Sequence, residues 1–313
     1  MGAFSASALA AFEEHTGQRC VDHFDLIAGT STGGIIAIGL GMGIPARDIC
    51  NFYVERGAEI FPNTGFAGRI RTFLRHLIKP KHSQEVLRQT LSQILRKPDG
   101  TSFKFGDSRV RLVIPAYDGL YGRIFVFKTQ HVDRFAHDVN AEAVDVALAT
   151  AAAPTYFTAA KFPEHEASYV DGGVWANCPA LVAVAEAIHF LGVDRTKIDV
   201  LNIGTTTVPF NTVSKIKAGI LGWNKGIIDL FMTAQIEASA ALASLLTEGN
   251  LYKINYTACP GRFSLDDARR VSELVGLGRA EAVKAANMEM IKKIFLNGIH
   301  AQRFKPEGGP ETN

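Results

Sequence analysis

Two short runs hold residues that could act together on an acyl group. Gly29-Thr30-Ser31-Thr32-Gly33-Gly34 sets a serine in a G-x-S-x-G pattern, after the apolar run Phe24-Asp25-Leu26-Ile27-Ala28 and before Gly34-Ile35-Ile36-Ala37-Ile38. A serine exposed at a sharp strand-to-helix reversal is a nucleophile elbow, and glycines on either side leave room for the reversal. At the first turn of the helix, free N–H groups and the helix dipole favour negative charge on the attacking oxygen and on a tetrahedral oxyanion. Two other uses of such a turn are close strand–helix packing and phosphate binding. A Walker-type phosphate loop needs a lysine beside its last Ser or Thr, and no lysine precedes Lys79.

The serine needs a base. His189 and His300 follow it in the order of an acid–histidine triad, but His189 falls in a helical stretch beside Phe190. Hydrolases with that triad usually place several strands before the elbow, and only 28 residues precede Gly29 here. The other candidate is Asp171, in the extended run Tyr169-Val170-Asp171-Gly172-Gly173-Val174. A carboxylate at a strand end can take the hydroxyl proton directly, and partial burial raises its pKa into a useful range. The competing explanation is a plain Asp-Gly hairpin turn.

The elements that must position these groups follow from periodicity. Ser5 to His15 reads as a helix stopped at Gly17, and Phe24 to Ala28 as a buried strand. Val110–Tyr117 and Ile124–Lys128 read as strands, Ala141–Ala152 as a helix stopped by Pro154, Pro179–Phe190 as a helix and Lys197–Ile203 as a strand. Gly226–Leu246 and Ser264–Ile294 carry long helical patterns without clear strands. Alternating strands and helices indicate a layered α/β fold with a largely parallel sheet.

Composition narrows the class. The chain has 313 residues, 47% of them hydrophobic and 20% charged, which excludes disordered, collagen-like and disulfide-scaffold proteins. Its 33 Lys and Arg balance 31 Asp and Glu, so no nucleic acid polymer is expected as a partner. Cys20, Cys50, Cys178 and Cys259 form no C-x-x-C pair, which fits reduced thiols in the cytosol. The uncharged window Leu26–Ala46 is long enough to cross a membrane, but its glycines and Pro45 point to a buried strand–turn–helix.

Gly29–Gly34, Ala151-Ala152-Ala153-Pro154-Thr155-Tyr156-Phe157, Asp171-Gly172-Gly173, Asn177-Cys178-Pro179 and Asn202-Ile203-Gly204-Thr205 stand in this order. They resemble the successive motifs of patatin-like phospholipases. The resemblance covers roughly two thirds of the chain. It implies a three-layer α/β/α fold with a largely parallel central sheet, as one domain over 1–313. Its catalytic core would span about 1–210 and a helical C-terminal layer about 211–300. It implies a lipid acyl hydrolase that releases fatty acids from membrane phospholipids through an acyl-serine intermediate, with no metal and no cofactor. Carried onto this sequence, the nucleophile is Ser31 and the general base Asp171. Gly2, Gly29, Thr32, Gly33 and Gly34 fall at elbow and oxyanion positions, and Gly172 and Gly173 support the aspartate.

Family members usually begin with a strand and an Asp-Gly-Gly-Gly-x-Arg-Gly loop whose N–H groups form the oxyanion hole. This sequence begins Met1-Gly2-Ala3-Phe4, so Gly2 alone matches. A start assigned too late, a truncation and an inactive variant all fit, and the first is favoured because the remaining motifs are intact. The alternative function is a lipid- or nucleotide-binding protein with impaired catalysis.

Between Arg69 and Lys97 eight basic residues face one acid, Glu85. Ile70, Phe73, Leu74, Leu77 and Ile78 form an apolar stripe at helical spacing beside Arg69, Arg71, Arg75, Lys79 and Lys81. Such a helix suits peripheral contact with an anionic membrane, a phosphate-bearing ligand, or plain core packing with a solvated basic face. The sequence also resembles the bacterial patatin-like phospholipases of anti-phage defence that a cyclic dinucleotide switches on. That resemblance implies a cyclic dinucleotide activator and a cytoplasmic protein acting at the inner face of the membrane. Homo-oligomerisation is left open.

Overall fold

The computed structural model describes residues 2–60, 82–207, 226–259, 262–263, 268–301 and 304. Its helices are α1 (Gly2–Thr16), α2 (Thr32–Gly41), α3 (Ala46–Ile60), α4 (Gln84–Ile94), α5 (Ala143–Ala151), α6 (Gly173–Ala176), α7 (Ala180–His189), α8 (Gly226–Leu246), α9 (Val271–Ala282) and α10 (Ala285–Met290). The strands are β1 (Leu26–Ala28), β2 (Arg111–Asp118), β3 (Arg123–Lys128), β4 (Ala160–Phe162), β5 (Ala167–Asp171), β6 (Val200–Thr207) and β7 (Leu251–Thr257).

The class is α/β as expected, and β2 is its spine. Leu112 to Ala116 are buried on both faces, as a central strand requires. One edge of β2 pairs with β3; the other is shared. There β1 runs parallel beside Arg111–Val113, while β5 runs antiparallel beside Ala116–Asp118. Both strands therefore end facing the unshared stretch Ile114-Pro115. The elbow follows the last residue of β1 and Asp171 is the last residue of β5, so this edge brings two distant sequence segments together.

The five-stranded sheet is mixed rather than largely parallel: β1/β2 is parallel, whereas β2/β3, β2/β5 and β4/β5 are antiparallel, and β6/β7 form a separate parallel pair. For β2/β3 and β4/β5 the cause is local, since the short connections after Asp118 and Phe162 close hairpins, and a parallel crossover needs a dozen or more residues. A second correction concerns the C-terminal part. It contributes a strand, β7, whose Leu251, Ile254 and Tyr256 lay unseen between two helical patterns.

The uncharged window is β1 followed by α2. Gly34 to Gly41 are all buried, with Ile35 and Ile38 in one apolar cluster and Ile36 and Leu40 in another. An all-round apolar helix of ten residues is a core helix, too short to span a bilayer. Helix α1 crosses α9 so closely that a Cβ on Gly278 would lie 2.2 Å from the Phe4 carbonyl oxygen. Among the described residues, α8 alone is long and apolar enough to cross a membrane by length and composition. Its Ala240 and Ala243 nonetheless pack with Val184 of α7. Cys20, Cys50, Cys178 and Cys259 are free thiols.

Candidate active site

Ser31 stands at the junction of β1 and α2 with φ 57° and ψ −126°, a conformation that costs a non-glycine residue about 1–3 kcal/mol. Its neighbours make the reversal feasible. A Cβ on Gly29 would lie 2.1 Å from the Gly33 carbonyl oxygen, so no other residue fits there. A Cβ on Gly34 would meet Thr150 Cγ2 at 2.6 Å. Gly33 differs, since among the described residues a Cβ there would meet nothing within 4 Å. Crowding by the described residues does not explain that glycine, and it borders open space beside Ser31.

Asp171 is 5% exposed at the end of β5. The Ser31 side chain lies beside its carboxylate. The Gly173 N–H donates to Asp171 Oδ1 at 2.7 Å. Burial pushes the carboxyl up to about 6, against the Ser31 hydroxyl and the Gly173 N–H, which lower it. It is therefore mostly ionised at pH 7 yet basic enough to take a proton. A Cβ on Gly172 would lie 2.2 Å from the Pro115 carbonyl oxygen, which explains the first glycine after the aspartate. At Gly173 a Cβ would sit 3.0 Å from Asp171 Oδ1, tight against the carboxylate itself.

The last turn of α5 ties these two segments together. Thr150, fully buried, accepts the Ser31 N–H at 3.1 Å and donates its own proton to the Pro115 carbonyl at 2.6 Å. Its carbonyl accepts the Gly172 N–H and that of Ala152 accepts the Asp171 N–H. Thr30 Oγ1 donates to the Ala176 carbonyl at 2.6 Å, a direct link from elbow to α6. Sequence reading missed Thr150. The available signal was a hydroxyl within the otherwise apolar run Ala147-Leu148-Ala149-Thr150-Ala151-Ala152.

Gly2 and Thr32 are neighbours. A Cβ on Gly2 would approach Thr32 Cβ at 3.0 Å and the Tyr53 ring at 2.9 Å, and Tyr53 holds the Thr32 carbonyl through its hydroxyl at 2.9 Å. The start of α1 thus stands beside the start of α2, and first-turn N–H groups lack intrahelical partners. Arg69, Arg71, Arg75, Lys79 and Lys81, with the apolar stripe beside them, lie outside the described residues.

Comparison with known proteins places the chain among relatives of known description. Residues 1–184 match the family model described as patatin-like phospholipase. Three curated bacterial relatives are each called a cGAMP-activated phospholipase. The one from Pseudomonas aeruginosa is 33% identical over 90% of this chain and 82% of its own length. Those from Escherichia coli and Vibrio cholerae are 33% and 30% identical, over 65% and 71% of this chain and 58% and 66% of their own lengths.

Proposed function

Because the chain belongs to the patatin-like phospholipase family, we propose that it hydrolyses acyl esters of membrane phospholipids with Ser31 as nucleophile and Asp171 as general base. The observation that carries this reading is the buried Asp171 carboxylate beside a serine on a strained strand-to-helix turn.

Asp171 accepts the Ser31 proton as Oγ attacks the ester carbonyl carbon. The tetrahedral oxyanion forms against the first-turn N–H groups of α2, with the start of α1 at Gly2 alongside. As the intermediate collapses, the proton passes from Asp171 to the departing alcohol oxygen. Asp171 then takes a proton from water, which attacks the acyl-serine and releases the fatty acid.

Two further parts belong to this proposal. The relatives' printed names support a cyclic dinucleotide, cGAMP, as activator. Peripheral membrane contact rests on α8, whose Ile228, Phe231 and Leu245 are each more than 60% exposed. This helix adjoins the site, because Gln235 accepts the Asn177 N–H at 2.8 Å and exposed Val174 stands three residues after Asp171. The substrate would then be met at the inner face of the cytoplasmic membrane.

The test is fatty-acid release from vesicles of phosphatidylethanolamine and phosphatidylglycerol, with and without cGAMP. Wild-type protein releases fatty acid, cGAMP increases the rate, and Ser31→Ala abolishes it. Release by Ser31→Ala at the wild-type rate would overturn the reading, while a rate indifferent to cGAMP would remove the activator alone.

A further inference from the structure

Away from the elbow, His137, Asp138 and His165 bring three ligand atoms within 4.8 Å of one another. His137 Nδ1 lies 3.3 Å from Asp138 Oδ1, and His165 Nε2 lies 3.4 Å from the same oxygen. Two ligands bound to one tetrahedral zinc-class ion at about 2.0–2.1 Å stand about 3.3 Å apart. Both imidazole–carboxylate spacings fit a shared cation.

His165 supplies an independent sign. Its side chain is only 4% exposed, and Nε2 has no hydrogen-bond partner although it faces the carboxylate. Leaving a buried polar atom unsatisfied is costly, and a bound ion would remove that cost. The other ring nitrogen, Nδ1, lies 2.9 Å from the Tyr169 hydroxyl, the kind of outer partner that orients a ligating imidazole. Asp138 is oriented in the same way, since its Oδ2 accepts the Lys128 N–H at 3.0 Å while Oδ1, hydrogen-bonded to His137 Nδ1 in the metal-free protein, faces both imidazoles.

Nearby cations do not compete for Asp138. The Lys128 ammonium is paired with Glu186 at 2.6 Å, and Arg123 with Asp118 at 3.3 Å. The cluster borders a cavity of about 340 Å³, room for entry and for a water as a further ligand.

We propose that His137, Asp138 and His165 bind one divalent cation of the zinc class, two imidazoles and a carboxylate being ligands suited to it. The ion would join the segment after β3 to the β4–β5 connection. It would thereby brace β5, the strand that ends in Asp171, without taking part in ester hydrolysis.

Calorimetric titration of Zn²⁺ into tag-free, chelator-treated protein tests the site independently of any lipase activity. Wild type binds one equivalent, and its unfolding temperature rises with Zn²⁺. His137→Ala removes an exposed ligand, so the metal-free variant unfolds at the wild-type temperature but binds Zn²⁺ at least tenfold more weakly. Asp138→Asn, a near-isosteric change, weakens binding likewise. Absence of saturable binding to wild type, or unchanged affinity in both variants, would overturn the assignment.

Discussion

The Ser31 amide donates to Oγ1 of Thr150 at 3.1 Å, and the same hydroxyl donates to the Pro115 carbonyl at 2.6 Å. Pro115 lies in the gap on β2 between the partners of β1 and those of β5. One threonine thus connects the nucleophile's strained backbone to the central strand exactly where pairing lapses, and its own carbonyl holds Gly172. Position of the nucleophile and position of the base share this anchor.

Thr150→Val keeps the shape and removes both hydrogen bonds. It leaves a buried amide and a buried carbonyl without a partner, each at a cost of about 1–3 kcal/mol. The expected result is a lower unfolding temperature and a kcat reduced about 10²-fold with little change in KM, because a small misplacement of reacting atoms costs that much. Thr150→Ser should restore most of the rate. Kinetics and thermal melts of the two variants check this, and an unaltered kcat in Thr150→Val would refute the positioning role.

The elbow glycines should separate by substitution. Gly29→Ala and Gly172→Ala force a methyl within 2.1 and 2.2 Å of backbone oxygens, so both variants should be severely destabilised, by more than about 3 kcal/mol. Gly33→Ala meets no atom of the described residues within 4 Å and should fold with its stability unchanged or raised by up to about 1 kcal/mol, the alanine-over-glycine preference in a helix. Its effect should instead appear in the rate with bulky acyl chains. Denaturant melts of the three variants side by side give the comparison.

Asp171 should also make the protein less stable as pH rises. Its folded pKa, near 6, is above its ordinary 3.8, so the native state binds the extra proton between these values. The contribution of Asp171 to stability is therefore fully present below about pH 4, is lost as pH rises to about 6, and is level above that. Asp171→Asn carries no charge to bury and should exceed wild type by up to about 3 kcal/mol at pH 8, with the advantage gone at pH 4. Melting both proteins across this range measures it, and a pH-independent difference would contradict the burial argument.

Much of this could be read in the sequence. The G-x-S-x-G run between apolar segments marks the elbow because the strand-to-helix reversal demands small residues there, and the Asp171-Gly172-Gly173 run is a strand end for a similar steric reason. Strand directions were less legible. Periodicity locates β2 and β5 but says nothing of their relative sense, because their pairing joins segments about fifty residues apart. β7 escaped notice because its seven residues sit between long helical patterns and show little alternation. Thr150 escaped because a lone hydroxyl in an alanine-rich helix marks a buried polar group without naming its partners; these, Ser31 and Pro115, are 119 and 35 residues away. The His137–Asp138–His165 cluster was equally silent, since 27 residues separate its halves and no ligand spacing repeats.

The most direct test of the Ser31–Asp171 pair is covalent labelling with a lipid-like fluorophosphonate, followed by peptide mass spectrometry. The expected result is one adduct on Ser31, forming faster as pH rises through about 6 while Asp171 ionises, and at least 10²-fold more slowly in Asp171→Asn. An adduct on another residue, or wild-type labelling rates in Asp171→Asn, would contradict the account.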